Sequence, residues 1–375
     1  MTTLAGPAPI DPDALAQVLE RGLGLPREAY TSPAVFAWEL RAFHDDAWVC
    51  VGRTEAIEAP GSQRAIRAGG ENILLVRDEA GAIRGYFNVC RHRGHELVQL
   101  GGCARGREIR CPYHGWRFGL DGSRRGGGEA EELSLVPVRV DTWRGFVFVN
   151  VSGAAVPLRA WLGDLDALVA AHDLEVLRVA ATHRYELSAN WKLVIENYHE
   201  CYHCPRIHPQ LCRVSPPTSG RNDRGVGAWI GGPMELRAEV ETMSLDGKSR
   251  GARLPNLGAE QRRRVYYYGV GANLLVSLHP DYVLTHRLEP LAADRTRVEC
   301  QWLFHPDVLA MRDFAPDYAV EFWDVTNRQD WGAVESVQRG AASRGFRPGV
   351  FAPREQAVCD FVTRVARGYR DGGWA

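Results

Sequence analysis

Apolar and polar positions change their rhythm several times along the chain. From Asp11 to Gly22 apolar residues recur at helical spacing, with Pro12 suited to an early helix position, and a proline-interrupted linker then leads to Phe36, Trp38 and Leu40. Between Trp48 and about Val151 the texture turns to short β-rich runs at 72–76, 83–89 and 145–150, parted by Gly- and Asp-rich turns. That pattern predicts a small antiparallel β domain. Helical stretches follow at 157–162 and 166–170, and Asn190 to Ile195 reads as the opening of another helix. From Arg264 to His305 the chain is strand-like again, with 274–279 and 297–304 as sheet members, before a long helix from Tyr318 to Gly340. The runs predict an α+β protein in three parts: an N-terminal helical segment (1–45) packing on the last part, a β domain (46–152), and a larger domain (153–375). No internal repeat is found, and the Arg124–Gly128 loop is the one short low-complexity stretch.

Composition narrows the function. With 375 residues the chain can bury a large core, and a net charge of −1 excludes a polyanion-binding surface, so nucleic acid is not an expected partner. Met1 to Ile10 lacks the basic start and apolar core of a signal peptide, and no apolar run reaches the roughly 18 residues of a membrane span. No membrane association is expected, and the expected location is the cytoplasm. Nine cysteines is an odd count, and their clusters sit with histidines, which in a reducing compartment points to metal ligation rather than disulfides.

The densest chemistry lies between Glu196 and Pro209, where His199, His203 and His208 mingle with Cys201, Cys204, Glu196 and Glu200. On a continuing helix Asn197, Glu200 and His203 fall at i, i+3 and i+6 and share a face, with the helix kinking or ending near Pro205. That break lets His208 return beside His203, which is half of a metal site with room for a carboxylate. Two other readings stand beside it: ordinary satisfied histidines, and zinc held by Cys201, Cys204 and two histidines. The zinc reading ranks lower, because no second Cys-x-x-Cys pair completes it.

A stronger signal lies upstream. Cys90-Arg91-His92 and Cys111-Pro112-Tyr113-His114 each set one thiolate and one imidazole on a tight loop after a strand, with eighteen residues between His92 and Cys111. A Cys2His2 zinc site is the plainer alternative, but the mixing of ligand types within each half suits a 2Fe–2S cluster. One iron then takes Cys90 and Cys111 and the other takes His92 and His114, which places the reduction potential at roughly −150 to +300 mV. His95 and Cys103 break the spacing and are read as non-ligands.

These pairs, with Asn190-Trp191-Lys192 and Glu200-x-Tyr202-His203-x4-His208, resemble the catalytic α subunit of Rieske non-haem iron oxygenases from about residue 46 onward. The resemblance implies a catalytic domain with a curved antiparallel sheet around a long helix (helix-grip-like), and a mononuclear Fe(II) held by His203, His208 and a carboxylate. Asp324, Asp330 and Glu335 are the candidates. Asp330, followed by Val334, Val337 and Gln338, is most similar to the family's pattern, and Asp324 is second. It further implies a homotrimer in which Glu200 bridges toward a neighbouring cluster and Asn197 lines the iron pocket. The chain carries no Gly-x-Gly-x-x-Gly turn, so an NAD(P)H-dependent flavin/iron–sulfur reductase is the implied partner, alongside O2 and a small-molecule substrate.

In detail the motifs look most like the branch that oxidises quaternary ammonium compounds such as glycine betaine, stachydrine, choline and carnitine, releasing an N-methyl group as formaldehyde. An aromatic box would be drawn from strand aromatics, with Trp229, Tyr267, Tyr282 and Trp302 foremost. Hydroxylation or dihydroxylation of an aromatic substrate would use the same rings for stacking. A carboxylate-binding Arg or Lys in the pocket would separate the two, and the sequence does not place one. An electron carrier or a zinc-structural protein is the alternative outside the oxygenases.

Overall fold

The computed structural model describes residues 6–126, 133–251 and 253–374, so Gly127 and Gly128 of the Arg124–Gly128 loop lie outside it. Two compact units emerge, one formed by 40–158 and the other by 6–39 together with 159–374. The boundaries fall a few residues from those expected at 45 and 152. The N-terminal segment belongs with the larger unit.

In the first unit, β1 (Val49–Arg53), β2 (Ser62–Ala68), β3 (Glu71–Arg77), β4 (Ile83–Phe87), β5 (Cys103–Arg105), β9 (Pro137–Trp143) and β10 (Phe146–Asn150) form one antiparallel sheet. Their order is β1-β10-β9-β4-β3-β2-β5. The remaining strands, β6 (Glu108–Arg110), β7 (Arg117–Gly119) and β8 (Arg124–Arg125), make a separate small sheet. Strand alternation sorts β3 onto two cores. Ile73 and Leu75 pack with Val49, Val138 and Val147, while Leu74 and Val76 pack with Ile109, Phe118, Cys90 and Cys111. The two cysteines are thus held in the second core.

In the second unit, β11 (Arg178–Leu187), β12 (Trp229–Glu235), β13 (Arg264–Val270), β14 (Leu274–Leu278), β15 (Val283–Ala292) and β16 (Arg295–Phe304) make a curled antiparallel sheet in the order β11-β16-β15-β14-β13-β12. Register shifts at Val179/Ala181 and Pro290/Ala292 mark bulges in it, the local irregularities that bend a strand. Across the sheet runs the Asp317–Ala341 helix, whose buried residues Ala319, Phe322, Trp323, Thr326, Asn327, Trp331, Val334 and Gln338 keep a three-to-four spacing. Among the described residues no helix is long and apolar enough to cross a membrane.

The Trp191–Tyr198 helix is anchored by polar as well as apolar burial. Asn190 caps it by accepting from the Lys192 N–H at 3.0 Å. The ammonium of Lys192 is fully buried and meets Glu39 at 2.6 Å, and the same carboxylate accepts from Trp191 Nε1 at 2.8 Å and from the Tyr369 hydroxyl. Burial holds the Lys192 pKa below its usual range, and the Glu39 charge opposes that pull. Removing one partner of such a pair strands the other in an apolar setting, at a cost of about 3 to 5 kcal/mol.

Candidate metal centres and the cavity

The first-unit loops are copies of each other. In one, Cys90 N donates to the His95 carbonyl at 2.8 Å and Gly94 N to the Cys90 carbonyl at 2.9 Å. In the other, Cys111 N donates to the Trp116 carbonyl at 2.8 Å and Gly115 N to the Cys111 carbonyl at 3.1 Å. Gly94 and Gly115 sit at matching points with φ of 73° and 71°, a left-handed conformation that glycine enters without Cβ strain. Each loop turns its cysteine inward and its histidine outward. Cys90 and Cys111 are each 2 % exposed, while His92 and His114 face solvent with ring centroids 4.7 Å apart. Trp116 stacks on His92 at 4.7 Å and 8°. Burial raises the Cys90 thiol, opposed by the N–H groups of His92 and Arg93 that point at its sulfur. Two sulfurs inside and two imidazoles outside suit a 2Fe–2S cluster with one iron deep and one near the surface. His95 and Cys103 are exposed, Cys103 lying on the edge strand β5.

In the second unit the helix carrying Asn197 stops at Tyr198, earlier than the shared-face argument requires. Pro205 is an opening residue of the following Cys204–Ile207 helix rather than a terminator, because proline fits the first helical turn. Glu200 therefore reaches His203 across a turn. Its carboxylate accepts from His203 N at 3.1 Å, from Tyr202 N, and from His203 Nδ1. Cys201 and Cys204 are joined as a disulfide, which corrects the expectation of reduced cysteines there and takes both sulfurs out of a zinc site.

His203, His208 and Asp330 present ligand atoms all within 4.8 Å of one another. The Asp330 carboxylate lies 2.8 Å from His208 Nε2 and 3.3 Å from His203 Nε2. Both outer ring nitrogens are occupied: His203 Nδ1 by Glu200, and His208 Nδ1 by Gln329 Oε1 at 2.7 Å. Donation from Nδ1 leaves each Nε2 as a lone pair aimed inward, the arrangement a metal-binding imidazole requires. Burial acts to lower His203, but Asp330 and Glu200 raise it to about 9, so the position facing its Nε2 favours a positive charge, whether a proton or a metal ion that would displace it. Asp330 shows the converse, with burial overcome by the two imidazoles and the carboxyl held below its usual range. Two nitrogens and one carboxylate oxygen converging this way suit Fe(II) with positions left open.

The other acids are engaged elsewhere. Asp324 meets His183 Nδ1 at 3.2 Å, Arg328 Nε at 2.7 Å and the Tyr185 hydroxyl, while Glu335 accepts from Ser188 N at 2.9 Å. Neither joins the histidine pair. Asn197 does approach it, with Nδ2 3.4 Å from His203 Nε2.

Beside the triad opens a cavity of about 350 Å³ lined by Asn197, Glu200, His203, His208 and Asp330 among others. Five rings on its wall contact one another edge to face in the order Trp331, His286, Tyr198, Tyr267, Trp323, with centroid separations of 6.3, 6.0, 5.7 and 6.3 Å. Burial drops His286 to about 4 and the neighbouring His199 to about 3, so both imidazoles are neutral near pH 7. Of the strand aromatics singled out from the sequence, Tyr267 lines the cavity. Trp229, Tyr282 and Trp302 do not. Trp229 donates to Asp164 at 2.9 Å, and Trp302 is fully buried against His183 at 5.1 Å. Tyr282 stands behind the wall, accepting from Trp323 Nε1 at 2.7 Å and donating to the Met243 carbonyl at 2.7 Å. Strand alternation sorts the β13 tyrosines alone, with Tyr267 on one face and Tyr266 and Tyr268 on the other. Trp323 and Trp331 were findable as the helical stripe that also carries Asp330.

A two-domain subunit built to pair an iron–sulfur cluster with a mononuclear iron is what this fold and these two donor sets define. Residues 47–137 match the Rieske 2Fe–2S domain, and residues 174–371 match the ring hydroxylating alpha subunit catalytic domain. The chain belongs to the Rieske non-haem iron oxygenase α subunits. It is 32 % identical to the glycine betaine monooxygenase oxygenase subunit of Chromohalobacter salexigens over 93 % of this chain and 87 % of that one. To the carnitine monooxygenase oxygenase subunit of Acinetobacter pittii it is 36 % identical over 49 % of this chain and 52 % of that one. A solved structure of a quaternary ammonium Rieske monooxygenase superimposes with a TM-score of 0.79 at 25 % identity, covering 98 % of this chain and all of that one. The protein is thus an oxidoreductase, the oxygenase component of a Rieske system. Its cofactors are a 2Fe–2S cluster and a mononuclear iron, and its electrons come from a reductase partner.

Proposed function

We propose that the chain oxidises a small quaternary ammonium compound at an N-methyl group, and that one observation carries this reading: the ring girdle and the His203/His208/Asp330 triad open onto the same cavity. A quaternary ammonium cannot donate a hydrogen bond, so the groups that can hold it are ring faces. Neutral His286 and His199 add no opposing charge. The overall change takes one N-methyl group, O2, two electrons and two protons to an N-hydroxymethyl group and water. That product then collapses to the tertiary amine, formaldehyde and a proton.

His203, His208 and Asp330 hold the mononuclear iron, and Cys90, His92, Cys111 and His114 hold the cluster. When bound, the iron supplies oxygen activation and the cluster supplies electrons. The chain's own side chains do the rest. Glu200 and Gln329 fix the two imidazoles with Nε2 inward, Asn197 borders the triad, and Tyr198, Tyr267 and Trp323 seat the cation against it. In this reading Glu200 would also link the site to a cluster in a neighbouring subunit of a homotrimer. An NAD(P)H-dependent flavin/iron–sulfur reductase would complete a cytoplasmic system. Sedimentation tests the trimer.

The deciding experiment couples iron-reconstituted protein to a surrogate reductase with a panel of betaines, choline and simple aromatic acids, recording O2 uptake and formaldehyde. Formaldehyde formed in step with O2 supports the reading. Uptake confined to aromatic acids, with hydroxylated products and no formaldehyde, replaces it with ring hydroxylation.

A further inference from the structure

From the charges on the cavity wall we infer that Arg221 and Arg354 form a clamp for a substrate carboxylate, so that the preferred substrates are zwitterionic betaines rather than quaternary ammonium alcohols. The inference rests on the quaternary ammonium reading above and assigns the other end of the same substrate. The acids on the wall are Glu200 and Asp330, both committed to His203. Among the described residues that line it, the guanidinium groups belong to Arg221 and Arg354. Both residues are exposed, and neither guanidinium makes a hydrogen bond or ion pair among the described residues. By contrast the exposed Arg250, Arg328 and Arg370 each pair with a nearby carboxylate.

Depth orders the cavity. His208, Trp323 and Trp331 are buried, whereas Arg221 and Arg354 stand exposed at its opening. A bare cation such as choline would meet two like charges on entry, with both wall carboxylates already committed to His203. A betaine entering ammonium-first would leave its carboxylate at the opening, where a guanidinium can take both oxygens in a planar fork. The ring girdle reads the cation, and the arginines read the anion.

Equilibrium binding to the full-length, iron-loaded protein without reductase tests this, read by isothermal titration calorimetry. Glycine betaine, a longer ω-trimethylammonium carboxylate and choline are the probes. The clamp predicts that at least one carboxylate probe binds about tenfold or more tightly than choline. In the Arg221→Gln/Arg354→Gln double variant that probe weakens by about tenfold or more while choline tightens, and the corresponding loss in turnover falls on KM. The Arg221→Lys/Arg354→Lys variant, keeping charge but not the fork, recovers part of the affinity. Choline binding as tightly as both carboxylates to the unaltered protein, or a double variant that weakens all probes alike or none, overturns the clamp and leaves the quaternary ammonium reading standing. Failure of every probe to bind overturns both.

Discussion

The two metal-site regions are built on opposite plans. Each cluster loop is closed by hydrogen bonds within six consecutive residues, and its conformation is set where the chain is written. The triad joins His208 to an aspartate 122 positions away and relies on a sheet and a helix to bring them together. One is a local device, the other a product of the whole second unit. A site of the first kind should survive damage elsewhere, and a site of the second kind should report it.

Replacing a ligand should break the comparison most completely. Asp330→Ala should lose the mononuclear iron and lower turnover by more than about a hundredfold, since loss of even an outer partner of a metal ligand costs about 10- to 100-fold. The visible spectrum of the cluster should remain. His92→Ala should do the reverse, bleaching the cluster while mononuclear iron still binds. Iron and sulfide analysis of the two proteins checks both, and loss of both centres in either variant would contradict the separation.

A smaller effect should follow at one remove. Gln329→Leu takes away the acceptor on His208 Nδ1 and should reduce mononuclear iron affinity by about 10- to 100-fold, again with an unchanged cluster spectrum. Titration with Fe(II) under anaerobic conditions measures it. Within the girdle, Tyr267→Leu should weaken quaternary ammonium binding by roughly 2- to 30-fold, the span of a cation–π contact.

Acid sharpens the contrast least in size but over the widest area. Burial drops His172 and His286 to about 4 and His199 to about 3, against about 6.5 for free histidine, and all three lie in the second unit. At these three groups the unfolded chain binds more protons than the folded one, so their contribution to stability falls as pH is lowered from about 6.5 toward 4. Each group contributes up to about 1.4 kcal/mol per pH unit in that window. Glu196 and Asp45, raised to about 7 by burial, act in the opposite sense over the same window, so a site-resolved NMR titration is the check: His172, His199 and His286 should stay neutral at pH 5. An imidazole found protonated at pH 5 would show that it is not held neutral.

The same contrast explains what could be read from the residues alone. Cys90, His92, Cys111 and His114 stood out because a local loop writes its whole ligand set into a short motif, and His203 and His208 stood out for the same reason. The triad's acid was marked only by its likeness to the family's helix pattern, with Val334, Val337 and Gln338 following Asp330. Asp324, Asp330 and Glu335 share one helix, and only the turn of that helix over the sheet puts Asp330 beside the imidazoles while Tyr185 and Ser188 engage the other two. The girdle was harder still. Trp229, Tyr282 and Trp302 have the composition of a cation box, but their N–H, O–H and ring faces are spent on Asp164, Met243 and His183. The disulfide escaped because Cys201 and Cys204 sit among histidines, and the end of the helix at Tyr198 is what lets two cysteines three apart meet.

Glu39 carries a consequence for how the molecule is made. Its carboxylate lies in the segment before the first unit, yet its partner Tyr369 follows 330 residues later. At a synthesis rate of about 5 to 20 residues per second, roughly 15 to 70 s separate their emergence from the ribosome. The 40–158 unit is complete long before that, and its strands and loops can form while Glu39 still waits in water. The 40–158 unit can thus fold as a finished insertion, while the network around Glu39 closes only once Tyr369 has arrived.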